Sequence, residues 1–280
     1  MPPALRAAEL ERLLDEDLPH GDLSTELLGI GAQAAQMQFA ARGAYCVAGV
    51  EAAVELLQHL GLSVAAQVCS GECLRDGQLI LQASGRADAA FAGWKLAQNL
   101  IEWLSGIAHC TRQMLSAARA VQPGAVLACT RKTMPLTRRL AAEAVRAGGG
   151  SLHRLSLSET ILLFPEHRRF TGDALDLPAL VRTVRAKAPE RCIVIEVTNH
   201  DEALRAAQAG ADVLQLEKFS VEAVSRLSAV LGGKGPRLAA AGGVTLHNIA
   251  SYAAAGASLL VSSAPYAAPP REVAVLLQPA

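Results

Sequence analysis

Apolar positions recur along this chain with two different periods. Residues 4–17 space them as a helix does, whereas MQFAARG (37–43) reads as a strand closed by Gly43. A second helical run covers 49–60 and stops at Gly61. Extended stretches follow at 62–68 and 78–84, with Asp76-Gly77 as the turn between them. From Asp88 to Val121 the composition is helical, and Ser105-Gly106 is expected to divide it into two helices.

After Pro123-Gly124 the pattern changes. Short apolar runs appear at 125–129, 151–155, 160–164, 192–197, 212–216, 237–241 and 258–262. Helical segments lie between most of them, at 137–147, 178–187, 201–209, 220–231 and 246–255. Alternating units of this kind build a parallel sheet, open or closed into a barrel. The last stretch, REVAVLLQ (271–278), is extended and is expected to pair with the N-terminal part. The fold class is therefore α/β. An N-terminal α/β domain (1–109), joined by the C-terminal strand (270–280), precedes a parallel α/β barrel (110–269).

Composition narrows the function. Twenty-six basic and 26 acidic side chains give a net charge of zero, which argues against a nucleic-acid binder or a polybasic membrane anchor. No run reaches the roughly 18 apolar residues of a membrane span, and the start has no signal-peptide pattern, so a cytoplasmic protein without membrane insertion is expected. Six cysteines without C-x-x-C pairs are expected to be scattered reduced thiols. The neutral total hides an acidic segment at 1–30 and a basic one from Arg131 to Arg169. Lysine is rare, five against 21 arginines, so each one is informative.

Polar and charged residues follow nearly every apolar run of the second part: Thr130-Arg131-Lys132, His153-Arg154, Glu196, Glu217-Lys218, Gly242-Gly243 and Ser262-Ser263. In a parallel barrel the carboxyl ends of the strands converge on one face, where sites are built. The cations, with Arg138 and Arg139 as further candidates, suit a polyanion or a carboxylate. The two small-residue loops can offer backbone N–H groups to a phosphate. Two carboxylates beside them can stabilise a developing positive charge, or ligate Mg²⁺ through a phosphorylated substrate. The combination suits transfer from a phosphorylated sugar through an oxocarbenium-like state. A transition-metal site and the common nucleotide motifs are absent from the sequence.

The segments EDLPHGDLST (16–25), AARGAYCVAG (40–49), KLAQNLIEWLSGIAHCT (95–111), TRKTMPLTRRLAAEAVRAGGGSLHRLSLSE (130–159), IEV (195–197) and AAGGVT (240–245) resemble, in order, the quinolinate phosphoribosyltransferase family. The resemblance implies an α/β domain joined to an incomplete α/β barrel. It also implies transfer of ribose 5-phosphate from phosphoribosyl pyrophosphate, with Mg²⁺, onto a ring nitrogen, in a homodimer or higher homo-oligomer with a shared active site. Carried over by position, Arg131 and Arg154 would grip the acceptor carboxylate. Lys132, with Thr130 beside it, and His153 would lie near acceptor and pyrophosphate, and Glu196 and Glu217 would face the ribose. Gly242, Gly243, Ser262 and Ser263 would face the 5-phosphate, and Lys95 matches the basic residue donated by a neighbouring subunit.

The departures from that pattern matter more. Phe164 stands where the family has a lysine that grips the acceptor, and Glu166 replaces an asparagine. Glu217-Lys218 replaces Asp-Asn, Cys129 replaces an Asp, and Pro135-Leu136 replaces Pro-Gly. Losing a cation at Phe164 disfavours quinolinate, which has two carboxylates. These changes resemble the ModD branch associated with molybdenum transport. The alternatives are a genuine quinolinate phosphoribosyltransferase making nicotinate mononucleotide for NAD biosynthesis, with Lys218 or Arg138 replacing the lysine, and a non-catalytic binder of an oxyanion such as molybdate.

Overall fold

The computed structural model describes residues 5–171 and 176–280. The chain divides into two compact units. One comprises Met1–His109, Arg139–Gly149 and Ala267–Ala280; the other comprises Cys110–Arg138 and Gly150–Tyr266. Ala4, where the first helical pattern begins, lies outside the described residues, and the helix runs Ala7–Asp17.

The first unit is built on an antiparallel sheet of four strands in the order Val273–Pro279, Ala34–Ala41, Leu79–Arg86, Ser63–Ala66. Along Ala34–Ala41 the period of two buries Ala35, Met37, Phe39 and Ala41 and turns the intervening residues outward. The C-terminal segment pairs at its edge, with Phe39 opposite Val275.

The expected break at Ser105-Gly106 does not occur, because Ala87–Val121 is one helix of 35 residues. Close packing accounts for both small residues. The fully buried Ser105 hydroxyl accepts the Ala48 N–H at 3.0 Å and donates to the Ala48 carbonyl at 3.3 Å. A methyl group on Gly106 would lie 2.5 Å from the Pro269 carbonyl oxygen. Here Ser-Gly marks an approach of backbones, not a turn.

The second unit is a curled, wholly parallel sheet of seven strands. Their order is Ser151–Leu152, Val126–Cys129, Leu259–Ser262, Arg237–Ala241, Val213–Glu217, Ile193–Val197 and Ile161–Leu163. No pairing joins the two edge strands among the described residues, so the barrel is incomplete. The run at 151–155 leaves the sheet after Leu152, and the His153 N–H then closes onto the Cys129 carbonyl at 2.8 Å. On the inner face, Leu162, Val194, Val213, Ala239, Ala241 and Val261 form one apolar cluster with Phe164 packed against it. Alternation carries this face upward to Glu196, Gln215, Glu217 and Ser263 at the carboxyl ends.

Candidate functional site

The two acids stand on neighbouring strands above the apolar cluster. Gln215 lies opposite Glu196 in the parallel register, and its amide N–H donates to Glu196 Oε2 at 2.6 Å. Burial first, and then the charge of Glu217, hold the Glu196 carboxyl above the usual carboxylate range. Glu217 folds back over the next loop. A Cβ on Gly242 would sit 2.6 Å from Glu217 Oε1 and displace that carboxylate, and φ of +79° favours glycine there. Gly243 has φ +123° and open space around it.

The Lys218 N–H donates to the Ala241 carbonyl at 3.0 Å, which ties the ends of these two strands together. Lys218 itself has φ +57°, a left-handed conformation that costs a non-glycine residue about 1–3 kcal/mol. Among the described residues, Leu136 at φ +69° is the other such residue. Both stand where the resembling family carries asparagine or glycine, so the backbone shape has outlived the residue types that favour it.

A second knot joins the loops after Val126–Cys129 and Leu259–Ser262. The Thr130 N–H donates to the Ser262 carbonyl at 3.1 Å, the Thr130 and Ser263 hydroxyls meet at 2.5 Å, and the Tyr266 hydroxyl donates to the Thr130 carbonyl at 2.9 Å. The Lys132 N–H caps back onto the Thr130 hydroxyl at 3.1 Å and leaves the ammonium exposed. Ser262 plays a different part from Ser263. It is buried, its hydroxyl donates to the Val244 carbonyl at 2.6 Å, and it accepts the Ala264 N–H at 3.0 Å, so it fastens the loop from beneath.

Arg131, His153 and Arg154 form the cationic side. Burial, and then the nearby Arg131 charge, lower the Arg154 guanidinium's proton affinity. Two like charges held this way favour an anion between them. Burial, followed by Arg154, also pushes the His153 imidazole below its ordinary value and favours the neutral ring. The Arg154 guanidinium carbon lies 5.9 Å from the centre of the Phe164 ring. That ring stacks on His167 with centroids 5.6 Å apart, and His167 Nδ1 accepts the Phe164 N–H at 3.1 Å. Phe164 thus presents an apolar surface beside the Arg154 guanidinium.

Not every expected residue joins this group. Lys95 belongs to the first unit, where its ammonium donates to Gln98 at 2.8 Å and lies 4.2 Å from the Trp94 ring centre. Arg139, a candidate cation, is engaged by Glu9 at 2.5 Å and by Glu143 in the first unit. Arg138 donates to the Leu155 carbonyl at 3.5 Å. Cys129 is fully buried, and desolvation pushes its thiol up to about 12. Two residues that the linear pattern does not single out also belong to the site. Gln215 was hidden inside DVLQL as one polar letter in an apolar run. Arg168 was counted only in the basic stretch, yet it ion-pairs with Glu202 and donates to the Glu196 carbonyl at 3.2 Å.

None of the six cysteines forms a disulfide. Among the described residues there is no cluster of three or more His, Cys, Asp or Glu able to hold a metal ion, and no helix is long and apolar enough to cross a membrane.

Comparison with known proteins places both parts of the chain. Residues 22–105 match the N-terminal domain of quinolinate phosphoribosyl transferase, and residues 107–275 match its C-terminal domain. A protein named as the pyrophosphorylase ModD from Rhodobacter capsulatus is 49% identical over 245 residues, covering 86% of this chain and 93% of that one. A ModD-named protein from Pasteurella multocida is 40% identical and covers 96% of both chains. The solved structure of NadC from Streptococcus pyogenes superposes with a TM-score of 0.87 at 26% identity, covering 97% of this chain and 95% of that one. The chain belongs to the quinolinate phosphoribosyltransferase family and is a ModD-like pentosyltransferase of the phosphoribosyl type, acting on a small phosphorylated sugar.

Proposed function

We propose that the protein transfers ribose 5-phosphate from phosphoribosyl pyrophosphate to the ring nitrogen of an acceptor less anionic than quinolinate. The observation that carries this reading is the pairing of an acidic, glycine-lined sugar side with an apolar acceptor side. Glu196, Glu217 and the Gly242-Gly243 loop share one end of the inner face with Phe164. In the transfer, the bond from the sugar's C1 to pyrophosphate breaks and its electron pair leaves with the pyrophosphate. The acceptor nitrogen's lone pair forms the new C–N bond. Glu196 and Glu217 face the ribose and stabilise the positive charge developing on it. Backbone N–H groups of Gly243 and the Ser263 loop receive the 5-phosphate. Lys132 holds the leaving pyrophosphate, and Arg131 and Arg154 hold a single acceptor carboxylate.

Mg²⁺ fits the donor set, since two carboxylates can share it with ligand phosphate oxygens while three protein ligands are not assembled. Glu196 and Glu217, together with pyrophosphate oxygens, would hold it, and it would supply neutralisation of the leaving group. We further infer a homodimer in which Lys95 reaches a neighbour's site, and residence in the reducing cytoplasm, where six unbridged thiols persist. The link to molybdenum transport is what the ModD resemblance implies. Calorimetric titration with Mg²⁺ and phosphoribosyl pyrophosphate tests the reading. Micromolar binding that is abolished in Lys132→Ala supports it, and no binding to the intact protein refutes it. Production of nicotinate mononucleotide from quinolinate would return the protein to the parent reaction.

A further inference from the structure

Gln215 is 6% exposed, and its side chain points into the barrel among Val194, Val213 and Ala239. One end of the amide is explained, because Nε2 donates to Glu196 Oε2 at 2.6 Å. That contact also fixes which way the amide faces, since Oε1 turned toward a carboxylate would be repelled. Oε1 is buried and receives no hydrogen bond from the protein. On its other side the register partner is Ala239, whose methyl offers no donor. A buried carbonyl without a donor is costly to keep, and an apolar residue of the same length would fill this place more favourably. Its retention points to a donor that arrives with a ligand.

The position of Gln215 identifies that donor. It lies beside Glu196 across the sheet and two residues before Glu217 on the same strand face, so three acceptors converge on one place. The chemical partner of three adjacent acceptors is a group rich in O–H donors. We propose that Gln215 is a specificity-determining residue of the sugar site, its Oε1 accepting a hydrogen bond from a ring hydroxyl of the ribose while its Nε2 positions Glu196. This rests on the phosphoribosyl reading above and deepens it.

Gln215→Met keeps the length and removes both hydrogen-bonding functions. Binding of ribose 5-phosphate, 2-deoxyribose 5-phosphate and 3-deoxyribose 5-phosphate would be measured by calorimetry, alongside the thermal midpoint of the ligand-free protein. The expected result is an unchanged or raised midpoint with about tenfold weaker ribose 5-phosphate binding. The deoxy sugar that lacks the bonded hydroxyl should lose less than about twofold. Equal losses for all three sugars with a lowered midpoint would assign Gln215 a purely structural role and overturn the proposal, as would no loss at all. If the midpoint falls too far for binding to be read, Gln215→Leu provides the same comparison. An intact protein that binds neither the sugar phosphates nor Mg²⁺ with phosphoribosyl pyrophosphate overturns the phosphoribosyl reading together with this one. Normal binding without the predicted discrimination overturns this one alone.

Discussion

The two sides of the strand-end site are built in different ways. The sugar side is interlocked: Glu217 lies against Gly242, Thr130 against Ser263, and Ser262 beneath Val244. Each contact joins neighbouring strand ends, so a change in one side chain displaces the next. The acceptor side hangs on Ile161–Leu163, an edge strand of three residues, and consists of a ring, a stacked histidine and a nearby guanidinium. Such contacts adapt to a new residue without rebuilding a loop. The difference explains how a family can hold its sugar chemistry while its acceptor pocket drifts. It also predicts that substitutions on the two sides differ in magnitude and in sign.

The harshest break should come from Gly242→Ala. The added methyl meets a carboxylate oxygen at 2.6 Å in a left-handed backbone, so donor affinity should fall by about 100-fold or more, with stability lowered by about 1–3 kcal/mol. Calorimetry and urea unfolding measure the two effects. On the opposite side Phe164→Lys should be tolerated and should gain function, tightening quinolinate binding about tenfold through a charge-assisted contact. Unchanged quinolinate affinity would show that Phe164 does not border the acceptor.

A smaller effect sharpens the contrast from outside the interlocked loops. Leu136 is 93% exposed and left-handed, so Leu136→Asn should raise stability by about 0.5–1 kcal/mol and leave donor binding unaltered. The smallest effect is a pH dependence. The His153 imidazole in the folded protein lies below the ordinary value of about 6.5, so the unfolded chain takes up the proton first as pH falls. Its contribution to stability is therefore complete above about pH 6.5 and declines as pH drops toward the folded value. His153→Asn should flatten that part of the stability profile, as thermal unfolding across pH 5–8 would reveal.

Much of this contrast was legible in the sequence. Seven apolar runs marked the barrel strands, and each strand-end group followed one of them, because a period-two pattern and the parallel rule leave few other arrangements. Phe164 was visible as a missing charge. What stayed hidden depended on distant partners. Ser105-Gly106 carries the letters of a helix breaker, yet Ala48 and Pro269 need small residues there. Gln215 becomes meaningful only once the register sets Glu196 beside it, and a linear reading contains no register. Lys218 and Leu136 are residue types that disfavour a left-handed backbone, so the Asn and Gly of the resembling family at those places are the sole hint of it.

Cys129 carries a practical consequence. Its thiol is sealed and stays protonated up to about pH 12, so it lacks the thiolate that alkylating reagents attack. Cys69, by contrast, is exposed in the first unit. A maleimide dye should therefore attach at the exposed thiols, Cys69 together with Cys73 and Cys192, and pass Cys129 by, so that replacing the other exposed thiols and leaving Cys129 in place gives a reporter at Cys69.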